Sequence, residues 1–160
     1  MENQFIFSEL KIDKLNETLS LVREVFLEYE APDYSDEGVE EFMRFIESKA
    51  IKEMLSEKIM RIWTCENDGI IIGMLAGGIK EGKNHIFLLF VDKRYHRKGI
   101  ARQLLNMMTE QSNPSEIRVN SSPYAVEVYR RLGFSDIDTE QTVNGLRFTP
   151  MISAISGGND

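Results

Sequence analysis

The sequence contains few of the residues that cross-link a chain or hold a metal. Of its 160 residues, one is cysteine and two are histidine. The single cysteine, Cys65, excludes an internal disulfide and is typical of a reducing compartment. It falls in a predicted strand, where we expect it to pack. Three such side chains are too few for a zinc site of the usual kind, so we expect no metal.

Long apolar runs and targeting segments are also missing. No stretch approaches the roughly 20 apolar residues that a membrane-spanning helix needs. The first residues, MENQFIFSELKIDK, lack the basic start and apolar core of a signal peptide. We therefore expect a cytoplasmic protein that has no membrane partner.

The charge of the chain is acidic but unevenly distributed. Its net charge is −7, which disfavours nucleic acid as a partner because that affinity comes mostly from cations meeting phosphates. Residues 24–57 carry a net charge of −8, whereas residues 92–102 carry +4. One region can therefore face a cation, and the other can receive a polyanion.

Hydrophobic spacing predicts a single α/β domain over residues 1–155, followed by a frayed tail at 156–160. Apolar residues three and four apart predict helices over 15–29 and about 39–46, with helical structure continuing to about Glu57. The predicted strands are FIFSEL, MRIWTCE, GIIIGMLAGGI, HIFLLFV, SEIRVN, SDIDTEQTV and LRFTPMI, with further helices after HIFLLFV and SEIRVN. Asn-Gly and Asp-Gly steps predict tight hairpins at 67–69 and 144–145. HIFLLFV is the most apolar run and is typical of a central strand covered on both faces.

The basic segment joins a strand to a helix through Gly99. Backbone amides at a helix start lack internal partners and lie at the positive end of the helix dipole, so this turn favours an anion. Gly99 and the small Ala101 leave room for close approach. The sequence has neither GxxxxGK[ST] nor GxGxxG after a strand, which disfavours ATP and NAD. The alternative is a solvated basic turn that only begins a helix.

Two segments carry a family resemblance. VDKRYHRKGIARQLL, with the core HRKGIA, resembles the acetyl-coenzyme A signature of the GCN5-related N-acetyltransferases (GNAT). VNSSPYAVEVYRRLGF resembles the second signature of that family, which ends in YxxxGF. Together with the order of strands and helices, the resemblance extends over essentially the whole chain.

The resemblance implies a GNAT fold of the α/β (α+β) class. Its central sheet is mixed and mostly antiparallel, with helices on its sides, and its fourth and fifth strands splay apart to admit the pantetheine arm of acetyl-CoA. Amides of residues 97–102 then hold the diphosphate. The implied cofactor-binding residues are Phe90, Val91, His96, Arg97, Lys98, Gly99, Ile100, Ala101, Arg102, Asn120, Ser122 and Tyr129.

This chain departs from the family pattern at two of those positions. His96 replaces the usual glutamine or arginine, which matters little if backbone groups grip the diphosphate. Ser122 replaces an asparagine seven residues before the tyrosine of YRRLGF, and Asn120 is the candidate to take over its contact with the arm.

Catalytic roles also follow from the resemblance. Tyr129 matches the general acid of the family, and a phenol with a pKa of about 10 stays protonated at neutral pH; the alternative is a packing tyrosine. His85 lies eleven residues before His96, where several relatives place a glutamate base. Imidazole suits that role, and the alternative is a capped or exposed histidine with water as the base. The amide of Val91 is the implied oxyanion donor.

In this family the early helices and the final hairpin wall the acceptor site. Here Glu30, Asp33 and Tyr34 fall in the loop between those helices. An acidic wall attracts a cationic amine such as a polyamine, an aminoglycoside or a lysine side chain. The alternative is that these acids form a solvated helix face.

The resulting prediction is an acetyl-CoA-dependent N-acetyltransferase, in which a primary amine of a small molecule or protein attacks directly in a ternary complex. One alternative is a non-catalytic acyl-CoA-binding sensor of the same fold. Another is a nucleotide-binding regulator. Exposed strands of the terminal hairpin also allow a homodimer.

Overall fold

The computed structural model describes residues 4–154, so the predicted tail at 156–160 lies outside the described residues. The strands are β1 (Phe5–Glu9), β2 (Met60–Asn67), β3 (Ile70–Lys80), β4 (Lys83–Val91), β5 (Glu116–Ser121), β6 (Ser135–Asp136), β7 (Gln141–Val143) and β8 (Leu146–Ala154). The helices are α1 (Leu15–Val25), α2 (Asp36–Phe45), α3 (Ser48–Ser56), α4 (Ile100–Ser112) and α5 (Val126–Arg131). Within the described range, no helix combines the length and apolar character needed to cross a bilayer.

The strands form one mixed sheet in the order β1-β2-β3-β4-β5-β8-β6, with β7 paired to β8. All neighbours are antiparallel except β4 and β5, which are parallel. This confirms the expected mixed, mostly antiparallel sheet. The two predicted tight hairpins are also present, since Asp68–Gly69 and Asn144–Gly145 all have positive φ.

Two hydrophobic clusters cover the two faces of the sheet. One joins α1, α2 and α3 to the sheet through buried residues such as Val22, Ile46 and Ile51. The other joins α4 and α5 through residues such as Leu104 and Tyr129. Strand β4 supplies side chains to both clusters, which confirms HIFLLFV as a central strand covered on both faces.

Strands β4 and β5 pair only at their beginnings and then diverge. The parallel register holds for His85 with Arg118 and Ile86 with Val119, and for no later residue of either strand. A bulge in β4 accompanies the divergence, because Ile86 and Leu88 face consecutive residues of β3 and leave Phe87 without a partner. Bulges bend a strand and increase its twist. The expected splayed pair is therefore confirmed.

Two local predictions differ from the structure. The predicted first helix is α-helical only to Val25 and continues as a π-helical turn, Phe26–Glu30. The prediction of SDIDTEQTV as one strand is wrong, because β6 and β7 are separated by an exposed turn. There the Asp138 carboxylate accepts hydrogen bonds from the amide of Thr139 and the side chain of Gln141. Such local side-chain bonds compete with strand pairing.

Candidate active site

A cavity of about 400 Å³ lies between β4 and β5 where the two strands stop pairing. It lies at the centre of the sheet because β4 and β5 occupy the middle of the strand order. Residues predicted for the site that line it are Glu30, Tyr34, His85, Phe90, Asn120, Ser122 and Tyr129. The structure thus brings together residues from four separate parts of the sequence.

The inner edge of β4 faces this cavity with unpaired backbone groups. The amide of Asp92 donates to the carbonyl of Ile72 in β3 at 2.8 Å. Because bonding alternates along an antiparallel pair, the backbone groups of Phe90 also face β3, whereas those of Leu89 and Val91 face the side of β5. The Val91 carbonyl contacts Nε2 of His96 at 2.9 Å, which leaves the Val91 amide facing the gap.

The loop after β4 presents a row of free amides. Gly99 and Arg97 have positive φ, and Gly99 precedes the first residue of α4. Between residues 4 and 154, no hydrogen-bond acceptor is found for the amides of residues 97–102. The first backbone hydrogen bond with helical spacing is donated by the amide of Gln103 to the carbonyl of Gly99. A Cβ added to Gly99 meets nothing within 4 Å. This turn therefore has the free amides and the open space that the predicted anion site requires.

The side chains of the basic segment do not all point to that turn. Arg94 pairs with Asp92 at 2.8 Å. Arg102 donates to the carbonyl of Arg131 at 2.9 Å and to that of Leu132 at 3.2 Å, at the end of α5. Its side chain therefore joins α4 to α5, and only its amide lies with the predicted anion site.

The remaining side chains of this turn divide by burial. Ile100 is buried in the core and Ala101 is half-buried, so their backbones alone face the turn. Arg97 and Lys98 are exposed. His96 is exposed as well, and its ring bonds the end of β4 as described above. Arg97 and Lys98 are thus the cations best placed to meet a phosphate there.

The end of β5 carries the two residues proposed to replace the family asparagine. Asn120 is exposed and lines the cavity. Ser122 is buried, and its hydroxyl oxygen accepts from the amide of Ala125 at 3.3 Å, which caps the short turn before α5. Asn120 is therefore the more open of the two toward a ligand.

Tyr129 lies on α5 with its ring packed edge-to-face against Phe134, with 5.5 Å between centroids. The residue is 5% exposed and lines the cavity. Burial raises the pKa of its phenol, and the charge of Glu30 raises it further. The hydroxyl therefore stays protonated at neutral pH and can act as a donor.

His85, at the start of β4, is buried beside the ring of Phe87, with 5.4 Å between centroids. Burial lowers its pKa to about 4, with smaller contributions from Lys80 and Arg118. The imidazole is therefore neutral at pH 7, but it is a weak proton acceptor.

The three residues predicted for the acceptor site occupy different environments. Glu30 is 7% exposed, and its pKa is raised to about 7, chiefly by burial. Tyr34 is half-buried and lines the cavity, and burial raises its pKa. Asp33 is exposed and does not line the cavity. Its carbonyl accepts from Arg147 of β8 at 3.1 Å, which links this loop to the final hairpin.

Sequence reasoning missed the aromatic and cationic lining of the cavity. The missed residues are Phe42, Phe45, Lys80, Phe87, Arg147 and Phe148. Their helical and strand patterns indicate only burial, and the bulge that places Phe87 on the cavity side has no sequence signal. In the described part of the chain, no three His, Cys, Asp or Glu side chains converge as metal ligands do.

Comparison with known proteins identifies the family. Residues 30–154 match the family model described as Acetyltransferase (GNAT) domain. No curated protein sequence is significantly similar to the chain.

Solved structures share the fold at low sequence identity. The PaiA N-acetyltransferase of Thermoplasma acidophilum, solved in complex with coenzyme A, is 20% identical with a TM-score of 0.77, covering 95% of this chain and 99% of that chain. An aminoglycoside 6'-N-acetyltransferase complexed with coenzyme A is 13% identical with a TM-score of 0.70, covering 97% and 99%. The ribosomal-protein-S18-alanine N-acetyltransferase of Escherichia coli is 16% identical with a TM-score of 0.61, covering 98% and 99%. With its splayed strands and its matching domain, this chain belongs to the GNAT acetyltransferase family.

Proposed function

We propose that this protein is an acetyl-CoA-dependent N-acetyltransferase that moves an acetyl group to a primary amine by direct attack. The observation that carries the proposal is the gap between β4 and β5, which opens beyond Ile86 and Val119 and contains a cavity, together with the free amides of residues 97–102 in the loop that follows β4. Family membership and the complexes of two solved relatives with coenzyme A support it.

The residues of this gap fit coenzyme A. Amides of residues 97–102 suit the diphosphate, with Arg97 and Lys98 beside them. The open space at Gly99 allows phosphate oxygens to approach the backbone. Backbone groups of Leu89 and Val91, which face away from β3, suit the amides of the pantetheine arm, and Asn120 faces them from β5.

Acetyl-CoA supplies an activated acetyl thioester to this site. The Val91 amide suits the carbonyl oxygen as it gains negative charge, because a fixed donor in a buried site stabilises such charge strongly. Tyr129 can donate its proton to the departing sulfur, since burial keeps the phenol neutral. No nucleophile of the protein is needed, because the amine attacks directly.

The lining of the cavity favours an acceptor whose amino group is attached to a small apolar group. Phe42, Phe45, Phe87 and Phe148 surround the space that would hold the acceptor. The charged lining is balanced, with Glu30 and Glu41 against Lys80 and Arg147. Other acids of the loop and of α2, namely Asp33, Asp36, Glu37 and Glu40, are exposed outside it. This arrangement supports an arylalkyl or alkyl amine rather than a polycation.

A panel of amines tests the proposal. The purified chain is incubated with acetyl-CoA and with phenethylamine, hexylamine, spermidine or a lysine peptide, and free thiol and acetylated product are measured. We expect transfer to the apolar amines, with kcat/KM at least about tenfold above that for spermidine. A preference for spermidine would contradict the proposed class of acceptor, but it would leave the proposed acetyl transfer in place.

Calorimetric titration with acetyl-CoA separates the remaining outcomes. Binding without transfer to any amine would identify a non-catalytic acyl-CoA-binding protein. Absence of binding would overturn the proposed function altogether.

A further inference from the structure

Glu30 stands out among the acids of this protein. Between residues 4 and 154, it is the one aspartate or glutamate whose side chain is buried. No arginine or lysine of that range forms an ion pair with it. A buried carboxyl group that forms no ion pair destabilises the fold when it ionises, so its position in the cavity calls for a role.

The backbone that carries Glu30 is also unusual. Glu30 ends the π-helical turn Phe26–Glu30, in which the amide of Ala31 donates to the carbonyl of Phe26. Such turns are rare and are frequently found at functional sites. Phe26 lies four residues before Glu30 on the inward side of the helix and is fully buried, so Glu30 continues the inward face into the cavity. Pro32 follows in a short turn that ends the helix.

Contacts with the segment after β5 position this turn at the cavity. The rings of Tyr29 and Tyr124 stack with 5.4 Å between centroids and 21° between planes. Tyr124 belongs to the short turn that leads from Ser122 to Tyr129. The stack therefore links the turn that ends at Glu30 to the segment that leads to Tyr129, the predicted general acid, and both residues line the cavity.

The surroundings of Glu30 set its pKa near neutrality. Burial raises the pKa to about 7, the nearby Ser122 hydroxyl lowers it, and the charge of Asp33 raises it. The other titratable groups facing it are the phenols of Tyr34, Tyr124 and Tyr129, whose pKa values its charge raises. Arg147 acts on Tyr34 from β8. A base works best when its pKa lies near the operating pH. The pKa of Glu30 meets this condition, whereas the pKa of His85, about 4, lies too low.

We infer that Glu30 is the catalytic base of this protein, the carboxylate that accepts the proton of the incoming ammonium group. The inference rests on the proposed function. The ammonium gives one proton to a Glu30 oxygen and becomes the free amine. The amine nitrogen then forms the C–N bond to the acetyl carbon, while the C–S bond breaks and the sulfur keeps its electron pair. Tyr129 gives its proton to the sulfur and regains one from the new amide nitrogen, and Glu30 releases its proton to water.

The pH dependence of transfer tests this assignment. The parent is compared with Glu30→Gln, His85→Gln and Glu28→Gln, the last an exposed glutamate on the same turn. We expect kcat/KM of the parent to rise with pH through about 7. Glu30→Gln should lower kcat by about 100-fold or more, with unchanged acetyl-CoA affinity. It should also abolish the rise of kcat/KM with pH, which is the acidic limb of the pH profile and is called the limb below. Glu28→Gln and His85→Gln should retain the limb.

A second variant changes the pKa of Glu30 without removing its carboxyl group. Ser122→Ala removes the hydroxyl that lowers the pKa of Glu30, so the limb should move to higher pH. A limb that stays in place in both Glu30→Gln and Ser122→Ala overturns the assignment, whereas the proposed function stands as long as the parent transfers acetyl groups. A limb lost in His85→Gln and retained in Glu30→Gln assigns the role to His85. A parent without transfer to any amine overturns both proposals.

Stability gives a readout that does not depend on activity. Because the pKa of Glu30 is raised in the folded state, its contribution to stability is complete below about 4.5 and is lost as pH rises through about 7. Glu30→Gln stays neutral, so its free energy of unfolding relative to the parent should increase between these pH values. Urea unfolding at pH 4.5, 6 and 8 measures the difference. A constant difference would show that the carboxyl is not buried in solution and would overturn the inference.

Discussion

At the residue scale, burial gives three titratable side chains of one cavity different properties. It keeps the phenol of Tyr129 protonated, raises the pKa of Glu30 to about 7 and lowers the pKa of His85 to about 4. The common cause is that a poorly hydrated site disfavours the charged form of each group. The result is a neutral donor and a carboxylate that titrates near neutral pH within one cavity, as acid and base chemistry at pH 7 requires.

The proposed role of Tyr129 as donor leads to a direct prediction. Tyr129→Phe keeps the ring and its packing against Phe134 but removes the proton, so kcat should fall by about 100-fold or more. Affinity for acetyl-CoA should change by less than about threefold. Steady-state kinetics and calorimetry measure both quantities.

Tyr95→Phe is the matched control for that prediction. The Tyr95 hydroxyl accepts from the side chain of Asn67 at 3.1 Å and does not line the cavity. Its removal should leave kcat within about twofold of the parent. An unchanged kcat in Tyr129→Phe would reduce Tyr129 to a packing residue.

At the element scale, the site depends on how β4 ends and α4 begins. The bulge at Phe87 accompanies the divergence of β4 from β5, and a left-handed Gly99 then begins α4 with its first amides free. The bond from His96 to the Val91 carbonyl folds this loop against the strand. The cavity beside β4 and the turn with free amides thus lie one after the other along this strand and the loop that follows it.

Two glycines of matched conformation test the anion site. Gly99 and Gly82 have φ of +79° and +77°, and a Cβ at either meets nothing within 4 Å. Alanine at either position should destabilise the fold by about 1 kcal/mol because L residues resist positive φ. Only Gly99→Ala should also weaken acetyl-CoA binding, by about tenfold, since Gly99 lies within the run of free amides at residues 97–102. Calorimetric titration of both variants makes the comparison, and equal affinities would contradict a diphosphate at this turn.

At the scale of the whole molecule, one sheet is divided by the gap that holds the site. The half containing β1 to β4 joins the half containing β5 to β8 through two residue pairs of the sheet, His85 with Arg118 and Ile86 with Val119. A ligand inserted beyond these pairs contacts both halves. Ligand binding should therefore stabilise the fold against a separation of β4 from β5.

Thermal unfolding measures this effect. At a concentration 100 times its Kd, a ligand that binds only the folded state adds about 2.7 kcal/mol. For a chain of this size, that amount corresponds to an increase in Tm of about 5–10 °C. Acetyl-CoA should give this increase, and ATP at the same concentration should give less than half of it. Equal shifts would favour a nucleotide-binding regulator instead.

Much of this architecture was predictable because its causes are local. Leu15, Leu19, Val22 and Phe26 form an inward helical stripe, and HIFLLFV is apolar on both faces, so each pattern indicates its own environment. The free amides after Gly99 follow from any strand that enters a helix through glycine. The two signatures also indicated Tyr129, Ser122 and Asn120, all of which line the cavity.

Other features depend on distant partners and carry no local signal. Arg102 belongs to the basic segment of the sequence, but its side chain bonds carbonyls at the end of α5 that become available only when α4 and α5 pack together. Glu30 and Asp33 are both acidic residues of one predicted loop, and nothing in the sequence separates them. In the structure Asp33 is exposed and Glu30 is buried. The difference arises from the π-helical turn and from its packing against the segment after β5.

The sequence by itself therefore determined most of the helices and strands, the glycine turn with free amides before α4 and the family, since periodicity, glycine and short motifs act over a few residues. Only the tertiary structure decided which side chains share the cavity and what their pKa values are. The physical reason is that burial and the charges of neighbouring groups depend on residues far apart in the chain. Glu30 and Tyr129 are 99 residues apart in the sequence, and the fold alone places them in one poorly hydrated site.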